Sequence, residues 1–256
     1  MPAEIYLNVA VGGILTGLVY GLMALGLDPL VMLVPIAAVL FAFGYVLQAG
    51  LINRFITRPE HTQFLLLIAL AIIIVNALLI IFGPDAQGVR TSYGFDSYQV
   101  GSLIVDATKL YAAIAAVIVA SALFAFFRFT DTGTAIRACA DNYTGALTVG
   151  LDVKRLYALT FGLGAACVGA AGSVMMLIID VTPQVGPVYT LLAFVIVITG
   201  GLGSMTGALI GGVLIGATEA LAGLIFAPSA KSMFSFAILV LVLLLRPQGI
   251  LGRPLS

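Results

Sequence analysis

Apolar runs of roughly twenty residues alternate with short polar links along most of this chain, the spacing that crossing a hydrocarbon layer requires. Ile5 to Leu27 is the first run. Asp28-Pro29 breaks it, and Leu30 to Ile52 forms the second. The polar link NRFITRPEHTQ leads to a third run from about Phe64 to Phe82. Gly83 to Lys109 is the longest outer segment, and its loose alternation from Tyr98 to Val105 predicts a small hairpin strand. Leu110 to Phe127 and Arg155 to Ile179 are the fourth and fifth runs. Asp180 to Val188, with two prolines, reads as a turn-rich loop. Tyr189 to Phe226 is long enough for two spans, interrupted at 200–207 by GGLGSMTG, and Ser232 to Leu245 is a last, slightly short run. The pattern predicts an all-α integral membrane protein. It would be a polytopic bundle of about eight membrane segments, some broken or re-entrant, forming a single transmembrane domain over residues 1–256.

Composition agrees. The chain is 62% hydrophobic and 9% charged, against roughly 45–50% and 25% in soluble domains, and its mean hydropathy is +1.20. Zero net charge gives no reason to expect a nucleic-acid partner. Cys139 and Cys167 read as unpaired thiols. The opening MPAEIYLNVA has no basic n-region or small-residue cleavage site and reads as mature sequence entering a span. Arg54, Arg58, Arg128, Arg137, Lys154, Arg155, Arg246 and Arg253 fall on one side of this topology, and Arg90, Lys109 and Lys231 on the other. The excess places the former side in the cytoplasm.

One polar interruption has helical rather than turn-like character, from Arg128 to Phe161. Ile136, Ala140, Tyr143 and Leu147 fall at i, i+4, i+7 and i+11, one face of a helix. Arg137, Asp141, Thr144 and Thr148 repeat the rhythm one position on. A single helix over 134–150 follows, with Thr132 or Thr134 as its cap and Gly145 and Gly150 loosening or ending it. Two readings stand: a basic docking surface facing the cytoplasm, or a helix lying on the bilayer and touching lipid alone.

Candidate chemistry is sparse. The sole histidine, His61, sits in a polar link with no metal-binding constellation around it. The chain has no phosphate loop of the GxxxxGK[ST] type, so it is not expected to be an enzyme or to hydrolyse nucleotide itself. Within the apolar runs, Glu219 demands a partner or a proton, either lining a path or locking two spans together, with the lock preferred. Asn76 reads as a bond to a neighbouring helix. No intramembrane series of charges resembles an ion relay, which argues against an autonomous secondary transporter. Glycines cluster at 162–172 and again at Gly200, Gly201, Gly203 and onward to Gly216. They serve either close helix packing or a broken helix lining a translocation path.

RACADN at 137–142, GLDVKRLYALTFGLGAACVGAAG at 150–172, GGLGSMTGALIGG at 200–212, LLLRPQGILG at 243–252 and, more weakly, TRPE at 57–60 together carry a resemblance. The chain resembles the inner-membrane permease subunits of bacterial ABC importers for branched-chain amino acids, a superfamily that includes urea and short-chain amide permeases. The resemblance implies a translocation-path subunit for branched-chain or related amino acids, multi-pass in the bacterial inner membrane. It implies a homologous second permease subunit, two cytoplasmic ATPase subunits that use the ATP, and a periplasmic substrate-binding protein. This chain itself would hold no cofactor. The 134–150 helix would be the coupling helix, with Arg137, Ala140, Asp141, Gly145 and Gly150 at or near the ATPase contact. One departure stands out: the apolar stretch with an Asn-Phe-Ala-His-Gly motif, usual after the first span, is missing beyond Leu27. Either a membrane segment is deleted and the first span reverses, or residues of a longer natural chain are omitted.

Overall fold

The computed structural model describes residues 28–56, 58–86, 88–89, 96–100, 103–226 and 231–252. The expected first span, Ile5 to Leu27, lies outside them, as do Arg90 and Arg253. Asp28-Pro29, read as a break, is the start signal of α1 (Pro29–Gly50). The Asp28 carboxylate accepts from the Leu30 N–H at 2.9 Å, and Pro29 occupies the first turn, where a missing N–H costs nothing. A short 3-10 turn, Ile52–Arg54, follows. Then comes α2 (Glu60–Phe82), which ends at Gly83 with φ +78°. The expected hairpin is present: β1 (Ser97–Val100) pairs antiparallel with β2 (Leu103–Asp106), Ser97 opposite Asp106. It runs directly into α3 (Ala107–Phe129), whose first N–H donates to the Asp96 carbonyl at 3.0 Å.

Two short helices, α4 (Asp131–Asp141) and α5 (Tyr143–Thr148), lead to α6 (Val153–Met175), which Asp152 caps by accepting from the Arg155 N–H at 3.1 Å. The remaining helices are α7 (Val185–Gly200), α8 (Met205–Ile225) and α9 (Lys231–Leu245). The loop expected at 180–188 is therefore shorter, because Pro187 falls in the first turn of α7, where no hydrogen-bond donor is needed. Among the described residues five helices are long and apolar enough to cross a membrane, and α7 and α9 are shorter apolar helices.

The chain divides into two compact units, Met1–Gly186 and Pro187–Ser256. In the first, Ile36, Leu40, Ile52, Leu67, Phe161 and Ala165 form a core between α1, α2 and α6. Small residues let α1 and α6 touch almost backbone to backbone. A Cβ on Gly44 would lie 2.7 Å from that of Ala165, and one on Gly162 would lie 2.9 Å from the Phe41 carbonyl oxygen. Close packing thus accounts for this part of the 162–172 glycine cluster. The outward faces carry Val34, Ile73, Ile80 and Val117, each more than 60% exposed, as lipid-facing helices require.

Sidedness is visible within this unit. Gln48 Nε2 donates to Asn53 Oδ1 at 3.1 Å, and Asn53 Nδ2 donates to the Lys154 carbonyl at 3.2 Å. The two basic links that charge counting put on one side therefore meet. At the opposite ends of the same helices, Phe82 and Val89 pack against Met176 and Val181.

Candidate functional site: a helical elbow on the basic side

Thr130 caps the start of the basic segment, in place of the expected Thr132 or Thr134. Its Oγ1 accepts from the Gly133 N–H at 3.0 Å and donates to the Phe126 carbonyl at 2.6 Å, tying α4 to the end of α3. The single helix expected over 134–150 is two helices. At Asn142 the backbone turns extended (φ −149°, ψ 98°), and the Asn142 Oδ1 accepts from the Gly145 N–H at 2.8 Å to start α5. Asparagine is among the strongest helix-capping residues because its short side chain offers a local acceptor in place of the helical one. Here that bond outweighs the apolar periodicity. Gly145 is therefore a capped first-turn residue, and Gly150, at φ +86°, ends the element.

The break resets which face is buried. Ile136, Cys139 and Ala146 pack with Val153 and Leu156, whereas Ala140, Tyr143 and Leu147, expected on the same stripe as Ile136, are exposed. Val149 is 81% exposed. Together with Arg137, Asp141 and Gly150 these residues make a surface of small, apolar and charged groups outside the spans. Arg137 Nη2 donates to Thr134 Oγ1 at 3.3 Å along one side of it. Burial pushes the Cys139 thiol up from its ordinary value, an effect that the nearby Tyr157 hydroxyl partly offsets. Tyr157 is half-buried near the start of α6, and its ring stacks on Tyr143, with centroids 6.4 Å apart and planes 18° from parallel.

Among the described residues Asn76 makes no hydrogen bond to a neighbouring helix. Its Nδ2 donates to the Ile72 carbonyl at 2.8 Å within α2, since a carbonyl one turn back is always in range of a short amide.

In the second unit, Glu219 on α8 accepts at Oε1 from Ser235 Oγ on α9 at 2.8 Å, and Ser235 is 1% exposed. This is the bond that a helix lock requires. At the α7–α8 junction, Gly201 and Gly203 have φ of +107° and +80°. Ser204 caps α8 by accepting from the Gly207 N–H at 3.0 Å. Gly200 and Gly207 approach so closely that a Cβ on either would strike the carbonyl of the other. The RPQGILG segment closes over this junction: the Ile250 and Leu251 N–H groups donate to the Thr199 and Gly200 carbonyls, each at 2.9 Å. A Cβ on Gly201 would strike Gly252 there. Backbone proximity and turn torsion thus explain Gly200, Gly201 and Gly203.

The capping roles of Thr130, Asn142 and Ser204 and the contacts of Tyr157 and Ser235 escaped the sequence reading. For Thr130, Asn142 and Ser204 a signal existed, a capping residue three positions before a glycine. No group of three or more potential metal ligands occurs among the described residues.

Comparison with known proteins extends over almost the whole chain. The family model "Branched-chain amino acid transport system / permease component" matches residues 6–243. The high-affinity branched-chain amino acid transport system permease protein LivH of Salmonella typhimurium is 32% identical over 251 residues, covering 93% of this chain and 80% of its own. The protein of the same name from Escherichia coli K12 is 42% identical over 134 residues, or 52% of this chain and 44% of its own. The high-affinity branched-chain amino acid transport system permease protein BraD of Pseudomonas aeruginosa is 30% identical over 240 residues, covering 90% of this chain and 78% of its own. No solved structure gives a significant match.

Proposed function

The chain belongs to the family of branched-chain amino acid transport permease components, and from that premise we propose that it forms the translocation path of an ATP-driven importer for branched-chain or related amino acids. The observation that carries this reading is the 32% identity to a LivH permease over 93% of the chain. The membrane would be the bacterial inner one. The partners would be a second, homologous permease, two cytoplasmic ATPase subunits that consume the ATP, and a periplasmic binding protein that delivers substrate.

The elbow α4–α5 is the part we assign to ATPase coupling, through Arg137, Ala140, Asp141, Gly145 and Gly150. Its support is physical. Apolar side chains at Leu147 and Val149 stand exposed on the basic side, where positive charge marks the cytoplasm. A capped, short pair of helices also moves as a lever more readily than a loop does. Such a lever biases an inward- or outward-open bundle only if its contacts differ between the two states.

Reconstitution tests the proposal. In vesicles, the chain alone should show no ATP-dependent uptake of leucine, and the full set of partners should restore it. Robust ATP-driven uptake by the single chain rules the model out. A urea or short-chain amide substrate is the alternative, separated by binding measurements on the secreted partner protein.

A further inference from the structure

Among the α6 side chains that meet the elbow, Tyr157 lies at the edge of the shared cluster and touches both arms. Tyr157 sits on α6 a turn beyond Val153 and packs against the cluster that holds Ile136 and Cys139, on α4. The same ring stacks on Tyr143, on α5. These two contacts lie on opposite sides of the Asn142 break, so pivoting of α5 against α4 changes the geometry at Tyr157. Cys139 is 3% exposed and fixed in a packed cluster with Ile136, Ala146, Val153 and Leu156. Tyr143 is 44% exposed, at the edge of the proposed docking face. One side of Tyr157 is therefore anchored in the core and the other is open to a partner.

What α6 would do with such a displacement follows from its packing. Gly162 and Gly169 abut Phe41 and Leu40 of α1, and Gly44 of α1 abuts Ala165. Contacts this close leave no room for sliding, so α1 and α6 move as one body. The Asn53 bond to the Lys154 carbonyl ties the adjoining turn to the same end.

We propose that Tyr157 is the positioning residue that carries movement of the elbow into the paired spans α1 and α6, sensing α4 through the cluster that holds Cys139 and α5 through Tyr143. The proposal rests on the coupling assignment of the elbow made above. Tyr157 binds neither substrate nor ATPase in this account. Its role is to make rotation of α5 and displacement of α6 a single event.

The test uses the complete importer, with both permeases, the ATPases and the binding protein, in vesicles loaded with ATP. Tyr157→Leu keeps apolar bulk in the cluster while removing the stack and the hydroxyl. It should retain ATPase co-purification and basal hydrolysis, while leucine taken up per ATP hydrolysed falls about two- to tenfold, the range that one aromatic pair supports. Tyr157→Phe, which keeps the ring, should recover most of that ratio. Tyr143→Leu should reproduce the loss, and the double variant should be no worse than either single one, since both remove the same contact. Should Tyr157→Leu fail to insert, the half-exposed Tyr143→Leu decides the matter alone. An unchanged ratio overturns the proposal and leaves the coupling assignment standing. Loss of ATPase binding in Tyr157→Leu also overturns it, because the residue would then shape the surface instead of transmitting motion. The coupling assignment fails separately if Val149→Glu recruits the ATPase and transports like wild type.

Discussion

A side-chain cap begins the next helix at both junctions, Asn142 in one and Ser204 in the other, but at Gly201–Gly203 the chain also turns through positive φ angles that glycine adopts most readily. The first break is surrounded by exposed residues, and the second is covered by the backbone of Ile250, Leu251 and Gly252. An exposed, capped break leaves side chains free to be contacted and a pivot whose stiffness depends on one amide. A break closed by backbone-to-backbone contact leaves no space for a side chain at Gly201 and no free pivot there. The two junctions are thus suited to opposite tasks, the elbow to being moved and the glycine junction to staying fixed.

The contrast is most severely tested at Gly201. Gly201→Ala places a Cβ at positive φ, at about 1–2 kcal/mol, and against the Gly252 backbone, adding about 1–3 kcal/mol of overpacking. A large fall in melting temperature of the purified subunit is expected, and an unchanged one would remove the claim that this junction is rigid. Glu219 tests the same unit through a side chain. Glu219→Ala leaves the buried Ser235 hydroxyl only its longer bond to the Lys231 carbonyl at 3.4 Å, at a cost of about 1 kcal/mol, while Glu219→Gln keeps the nearer acceptor and should cost less. Melting curves of both variants check the order; equal, wild-type behaviour removes any special role for the carboxylate.

On the elbow the expected losses are in coupling. A Cβ on Gly145 already lies 3.1 Å from the Asn142 side chain, so Gly145→Leu disturbs the cap and obstructs docking at about 1–3 kcal/mol. The subunit should insert normally and co-purify poorly with the ATPase; wild-type recruitment and transport would show the coupling assignment to be wrong. Smaller on the elbow is Asn142→Ala, which removes a cap at about 1 kcal/mol. It should let α4 and α5 merge toward one continuous helix, lowering uptake per ATP with a fall in melting temperature of only about 2–4 °C. An unchanged ratio would mean that the break has no mechanical role.

The membrane architecture was readable because it depends on long apolar runs, each of which crosses hydrocarbon on its own account. α1, α2, α3, α6 and the pair around GGLGSMTG fall where the runs placed them. The elbow was legible as a helical, basic, half-apolar segment but not in its shape. Period counting from Ile136 through Leu147 assumes one uninterrupted helix, and a single Asn142 hydrogen bond cancels that assumption, turning Tyr143 and Leu147 outward. Asn76 and Glu219 show the same limit from another side. Each polar residue in an apolar run had to find a partner, but only tertiary geometry decides between Ile72 of its own helix and Ser235 of the next.

The closure over α7 also has a schedule. Its terminal carbonyls, at Thr199 and Gly200, receive their partners from Ile250 and Leu251, which a ribosome makes only after α8 and α9. Until then the end of α7 is an unfinished helix terminus that must stay wet or be guarded by a chaperone. A nascent chain halted before residue 250 would carry that open terminus permanently, giving membrane quality control a simple way to tell a truncated subunit from a finished one.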